Sequence, residues 1–372
     1  MTVPRWQSAR LALGTASALG LGRFAYGLVL PAMAERLRWD LTRAGAMTTA
    51  NGLGYLAGAM ATAAVTRRLG IVATFRLGMV LCTVALAATA TTTRYPALLA
   101  SRALAGFAGA LVFVAGAVLA PTTVYFAGTG LGIVLAGAAI PPLVGHHPQH
   151  WPLAWAVLAV ASGLAAAASW TAARPTTTAA ASDRLVRPVR RLWPVAAVYL
   201  LFAAGYIAYI TFLSAYLAGR HASTAQTALT WILLGLAVMT APTVWQRPIR
   251  HWPGGRILAV LLGIIAGAAA LVLLVPIPAV VIVSALAYGA TFMAVPAAVT
   301  ALVRGATPPE RLTDALSTFT VIFAAGQMAG PWLAGALADH TTADATLGWT
   351  ATLCGIGAVV AATAVTPTPR YP

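Results

Sequence analysis

The feature that most constrains this chain is its succession of apolar runs, each about 20 residues long and so able to cross roughly 30 Å of hydrocarbon as a helix. They are predicted at 10–32, 44–65, 71–91, 96–119, 122–144, 151–171, 193–217, 227–245, 255–275, 277–301, 314–338 and 345–365. Backbone in hydrocarbon must satisfy its own hydrogen bonds, and runs of this length do so as helices. The expected fold is therefore an all-α polytopic membrane protein with twelve spans. Composition agrees, since hydrophobic residues are 60% and charged residues only 8% of the chain, against about 25% charged in a soluble domain.

All 23 basic residues are arginine, and with 7 acids they give a net charge of +16. In a soluble protein that would point to nucleic acid. Here the arginines are scattered through short loops, with no basic face or nucleic-acid-binding motif, so membrane topology accounts for the charge and no nucleic-acid partner is expected. With the N-terminus inside, 16 arginines fall on the cytoplasmic side, and five, Arg36, Arg38, Arg43, Arg94 and Arg220, fall outside. Cytoplasmic loops carry the excess of positive charge, so both termini are expected in the cytoplasm and the protein in the inner membrane. Trp39, Trp151, Trp170, Trp193 and Trp245 stand near predicted span ends, as an interfacial aromatic belt requires. The first apolar run is too long for a signal-peptide core and is read as a retained span. Cys82 and Cys354 fall inside apolar runs and imply no disulfide.

One long polar stretch, rich in Thr, Ala, Pro and Arg, interrupts the pattern at its centre. It sets boundaries at 1–171 for an N-terminal six-helix bundle, 172–192 for a cytoplasmic linker and 193–372 for a C-terminal six-helix bundle. An internal repeat fits this division. The fifth run contains GTGLGIVLAGAAIPP and the eleventh GQMAGPWLAG, while Arg23, Phe24 and Tyr26 of the first run correspond to Phe202, Tyr206 and Tyr209 of the seventh. Two similar bundles around a central pathway are the layout of alternating-access transporters.

Within this apolar background the polar residues become candidates. Arg23 lies 13 residues beyond Arg10 with no charge between, and a guanidinium at that depth costs about 2.5–3.5 kcal/mol unless it faces a bundle interior or a wet cavity. Tyr26 follows at the i+3 position, so the cation and the phenol are expected on one face. Two readings are open for Arg23: holding an anion, or locking helices through carbonyls and phenols. Asn51 and Tyr55 share a face of the second span beside Gly52, Gly54 and Gly58, and Asn51 reads either as a cavity hydrogen bonder or as glue between helices. Arg102, followed by Gly106 and Gly109, is read as a functional charge or as a clamp on a neighbouring span. In the second half, Tyr206 and Tyr209 form an aromatic wall with Phe202, Gln327 stands near a span centre, and Gly330 and Pro331 mark a close crossing or hinge.

All seven acids fall in loops or at span ends. That leaves no midplane carboxylate for a proton relay or a cationic substrate. The HHPQH tract at His146–His150 is placed in an outer turn and is not expected to bind metal. No nucleophile motif, phosphate loop or HExxH is present, so neither an enzyme nor a cofactor is expected.

The stretches GLGRFAYGLVLPAM, ANGLGYLAGA, SRALAGFAGA, YFAGTGLGIVLAG, GYIAYITFL, YGATFMA and AAGQMAGPWLAGALAD together resemble the YbfB/YjiJ-like group of the major facilitator superfamily. The resemblance implies twelve helices in two pseudo-symmetric six-helix bundles and secondary transport of a small molecule. It matches Arg102, Gly106 and Gly109 to the fourth-span motif associated with proton movement. It matches Arg67 and Arg68 to the loop motif that gates the cytoplasmic side, with Arg67 standing where that motif has an aspartate. GPWLAG, at Gly330–Gly335, is similar to the antiporter signature. The resulting expectation is a monomeric secondary transporter of a weak organic anion or amphipathic drug-like solute, exporting it with protons as the candidate coupling ion. Uptake or facilitated diffusion of a metabolite, and a non-transporting receptor or scaffold, are the alternatives.

Overall fold

The computed structural model describes residues 5–120, 122–174 and 192–365. Most of the predicted linker, at 175–191, lies outside them. Among the described residues there are twelve long helices: α1 (Trp6–Leu37), α2 (Leu41–Leu69), α3 (Ile71–Ala90), α4 (Tyr95–Leu119), α5 (Thr122–Val144), α6 (Trp151–Trp170), α7 (Trp193–Gly219), α8 (Thr224–His251), α9 (Gly254–Leu274), α10 (Pro278–Ala306), α11 (Pro309–His340) and α12 (Ala345–Ala364). Eleven are long and apolar enough to cross a membrane. The remaining one, α2, has 29 residues and is long enough, but its Gly, Thr, Asn and Arg residues lower its apolarity. This is a multi-pass membrane protein.

Local chemistry sets the boundaries. Asp40 caps α2 by accepting from Arg43 N at 2.7 Å, and Ser223 caps α8 by accepting from Gln226 N at 3.1 Å. The turn from α2 to α3 is a single residue, Gly70, with φ of 82°, which a residue without Cβ adopts freely. Inside α10 the regular helix breaks at Met293 between Pro278–Phe292 and Ala294–Ala306. Pro296 explains the break, because it has no N–H for the Phe292 carbonyl and its ring crowds that carbonyl.

Helix pairings repeat with an offset of six. α1 packs on α5 as α7 packs on α11; α2 on α4 as α8 on α10; α3 on α6 as α9 on α12. Across the two sets, α2 meets α11 and α5 meets α8, which are again partners under the same offset. The chain is thus two pseudo-symmetric six-helix bundles. Close crossings depend on small residues: a Cβ on Gly54 or Gly106 would collide with the facing backbone of α4 or α2, and one on Gly20 with Gly132 of α5.

Candidate substrate cavity

Halfway along α1 the helix widens. Ala16–Phe24 is a π-helical segment, closed by Ala25 N donating to Gly20 O at 2.9 Å. Such insertions in helices often mark functional sites. Arg23 sits in its last turn, about 25 Å of helix rise from Trp6, and is 7% exposed. Its Nη2 donates to Gln327 Oε1 at 2.6 Å, and Gln327 Nε2 donates to the Tyr206 hydroxyl. A polar chain therefore runs from the N-terminal bundle to two helices of the C-terminal one. The guanidinium also lies over the Tyr55 ring at 5.4 Å and the Phe24 ring at 5.9 Å. Arg23 Nε is buried with no hydrogen-bond partner.

Behind this residue stands Arg102, fully buried. Its Nη1 donates to Gly22 O at 2.7 Å and its Nη2 to Arg23 O at 3.4 Å. The guanidinium lies beside the stacked rings of Tyr26 and Trp155, 5.3 and 5.2 Å from their centroids. Arg102 thus holds the backbone that presents Arg23. Asn51 Nδ2 in turn donates to Arg102 O at 3.1 Å, which ties α2 to α4 beside Gly106.

Arg23, Gln327 and Tyr206 form the floor of a cavity of about 630 Å³ between the bundles. Its walls reach Ala117 near the end of α4, Phe126 near the start of α5, Tyr199 near the start of α7 and Arg304 near the end of α10. These positions share the end of the molecule where α1 begins, so the cavity opens there. Among the described residues that line it there is no carboxylate.

The opposite end is closed. Asp339, in the last turn of α11, accepts from Leu41 N at 2.9 Å and Thr42 N at 2.8 Å, the first amides of α2, and from the Thr42 hydroxyl at 2.5 Å. A carboxylate there satisfies orphan donors and complements the helix dipole. Thr49 Oγ1 donates to Met328 O at 2.6 Å and Thr48 lies 3.2 Å from Thr211. A Cβ on Gly45 would meet Pro331 O, and one on Gly335 would meet Leu41 O. α2 and α11 thus touch backbone to backbone.

The structure brings Arg23, Tyr55, Tyr206 and Gln327 of the predicted site together at the cavity. It does not bring Tyr26, Asn51 or Tyr209 there. The Tyr26 hydroxyl donates to Ala44 O at 2.8 Å, and its ring faces Arg102 and Trp155; the wider turn of the π-segment places it on a different face from Arg23. Tyr209 stacks on Tyr288 at 4.1 Å, and its hydroxyl lies 2.7 Å from Ser284 Oγ. A Cβ on Gly106 would collide with Asn51 O, whereas at Gly109 there is ordinary contact room against Ala18. Gly330 meets Ala204 of α7 and Pro331 faces Gly45, so both stand at helix crossings. Arg67 and Arg68 are exposed in the last turn of α2. Sequence reasoning missed Phe113, Phe126, Tyr199, Phe292 and Phe323 as cavity residues. For Tyr199 the signal was present, because Tyr199, Phe202 and Tyr206 recur at helical spacing on one face of α7.

Twelve spans in two bundles of repeated pairing, with a cavity between them open at one end, define a membrane transporter of the major facilitator type. The chain matches the family described as "Uncharacterised MFS-type transporter YbfB" across residues 15–366 and belongs to it. No curated protein matches the sequence. Solved structures share the fold. A point mutant of the nucleoside transporter NupG is similar at a TM-score of 0.71 and 14% identity, over 95% of this chain and 98% of that one. A bacterial homolog of the human lysosomal transporter Spinster, inward-facing and unoccupied, is similar at 0.70 and 13%, over 97% and 96%.

Proposed function

We propose that this chain carries a small organic anion across the inner membrane by alternating access, the bundles 1–171 and 193–372 rocking about the cavity as a monomer. The observation that carries this reading is Arg23: a guanidinium at mid-depth on the cavity floor, with a buried Nε unpartnered and no carboxylate among the described lining residues. Charge in such a place favours an anion and disfavours a cation. Arg102 acts as a positioning residue, through the carbonyls of Gly22 and Arg23. Arginine asymmetry between the two sides supports a cytoplasmic location for both termini, which makes the open end the inward one. The cargo binds between the bundles, and release on the other side requires the Asp339 contact to α2 to part.

The likeness of GPWLAG to the antiporter signature supports export, with a proton as the coupling ion. Facilitated passage is the second reading, favoured by the lack of a carboxylate among the described cavity residues to carry that proton. The full chain in lipid vesicles, given radiolabelled hexanesulfonate or benzenesulfonate, permanent monoanions that cross lipid slowly, tests the anion reading. Entry should exceed that into protein-free vesicles, fall to background with Arg23→Gln and partly survive with Arg23→Lys. Undiminished anion entry with Arg23→Gln would remove the basis for the proposal. An imposed pH gradient should raise the rate if export is proton-coupled and leave it unchanged if passage is facilitated.

A further inference from the structure

The rings around the cavity fall into two walls whose geometry narrows the cargo further. On the C-terminal bundle, Tyr199, Phe202 and Tyr206 of α7 and Phe323 of α11 pack with centroids 4.6–6.3 Å apart, and each contacting pair is within 19° of parallel. On the N-terminal bundle, Phe113 of α4 and Phe126 of α5 stack at 5.1 Å and 9°. The inner ends of both walls meet at Arg23, which touches the Tyr55 ring on one side and reaches Tyr206 through Gln327 on the other. All of these rings line the cavity.

Three features of this slot point the same way. Stacked rings reward a flat π-system over a saturated group of equal size, by about two- to tenfold for each ring engaged. The floor holds one guanidinium, so one negative charge is neutralised there, whereas a dianion would leave a charge in excess in a poorly solvated place. Arg23 lines the cavity floor, and a planar guanidinium is the side chain best matched to a carboxylate. The other cavity cation, Arg304, is exposed and lies toward the mouth.

We propose that the cavity binds a flat aromatic monocarboxylate, its ring between the two aromatic walls and its carboxylate on the Arg23 guanidinium; this rests on the anion reading of the same site. Titration calorimetry of the purified full chain with three probes of one shape tests it: 2-naphthoate, its saturated counterpart decahydro-2-naphthoate, and the neutral 2-naphthamide. The expected result is 2-naphthoate binding at least about fivefold more tightly than the saturated acid, and more tightly again than the amide. Phe323→Leu should reduce the preference over the saturated acid toward unity and keep the preference over the amide. If that variant does not fold, Phe113→Leu on the opposite wall makes the same test. Equal affinity for the two acids overturns the aromatic inference and leaves the anion reading standing. Equal affinity for naphthoate and naphthamide overturns both. Absence of binding by every probe overturns the aromatic inference alone, since vesicle transport of sulfonates reports on the anion reading independently.

Discussion

The two ends of the bundle interface are built from different materials. At the closed end α2 and α11 meet through glycine backbone, hydroxyls and the Asp339 carboxylate seated on the first amides of α2. At the open end the facing surfaces are the aromatic rings and Arg304 of the cavity, and α2 finishes in exposed Arg67 and Arg68. One end is zipped by directional polar contacts at backbone distance. The other has bulk that keeps helices apart. This asymmetry explains why the structure rests with the cavity open at one end only.

The strongest way to break the comparison is to jam the zipped end. Gly335→Leu puts a side chain into the Leu41 carbonyl, and overpacking of about 1–3 kcal/mol should drive the bundles apart there. Spin labels on Arg36→Cys and His340→Cys, both exposed positions on that end, should report a longer distance, while Cys82 and Cys354 stay buried and unlabelled. A distance distribution identical to that of the unjammed protein would contradict the account of the closed end. Of comparable size, Arg102→Leu removes charged donors to Gly22 and Arg23. Hydrogen bonds of this kind contribute about 1.5–3 kcal/mol, so the thermal midpoint should fall and binding of 2-naphthoate weaken, although Arg102 is not among the residues that line the cavity. Asp339→Ala should be milder. Loss of a helix N-terminal acceptor costs about 0.5–2 kcal/mol, shifting the ratio of the two end states by about two- to thirtyfold, visible with the same spin labels. The smallest effect belongs to Arg220→Ala. Its 2.8 Å pair with Asp344 is about 40% exposed on both sides and joins α7 to α12 within one bundle, so it contributes about 0–1 kcal/mol and should leave the spin-label distance unmoved.

Much of the architecture was legible because hydrocarbon imposes one length and one backbone solution. All twelve predicted runs coincide with helices, and the narrow breaks near Pro121 and Pro276 separate α4 from α5 and α9 from α10. Arg23 was legible as an isolated charge with nothing nearby to neutralise it. Tyr26 and Tyr209 were placed with the cavity residues because helical spacing assumes a regular turn and says nothing of which face meets a neighbour. The π-segment breaks the first assumption at Tyr26, and packing on Tyr288 decides the second at Tyr209. Phe113, Phe126 and Phe323 come from three different helices, and their convergence is a property of the bundle that no local pattern encodes.

The widened segment Ala16–Phe24 has a consequence for inheritance as well as for geometry. Each residue of an α-helix turns the chain by about 100°, so deletion of a single codon within this segment would let it relax to a regular helix. The deletion would also swing Arg23 away from the floor while leaving every other side chain of α1 chemically intact. Point substitutions at Arg23 remove the charge or change its shape in place. A one-residue change in length would re-aim it, so the spacing between Thr15 and Arg23 sets where the guanidinium stands relative to Gln327 and Tyr55 as much as the arginine's presence does.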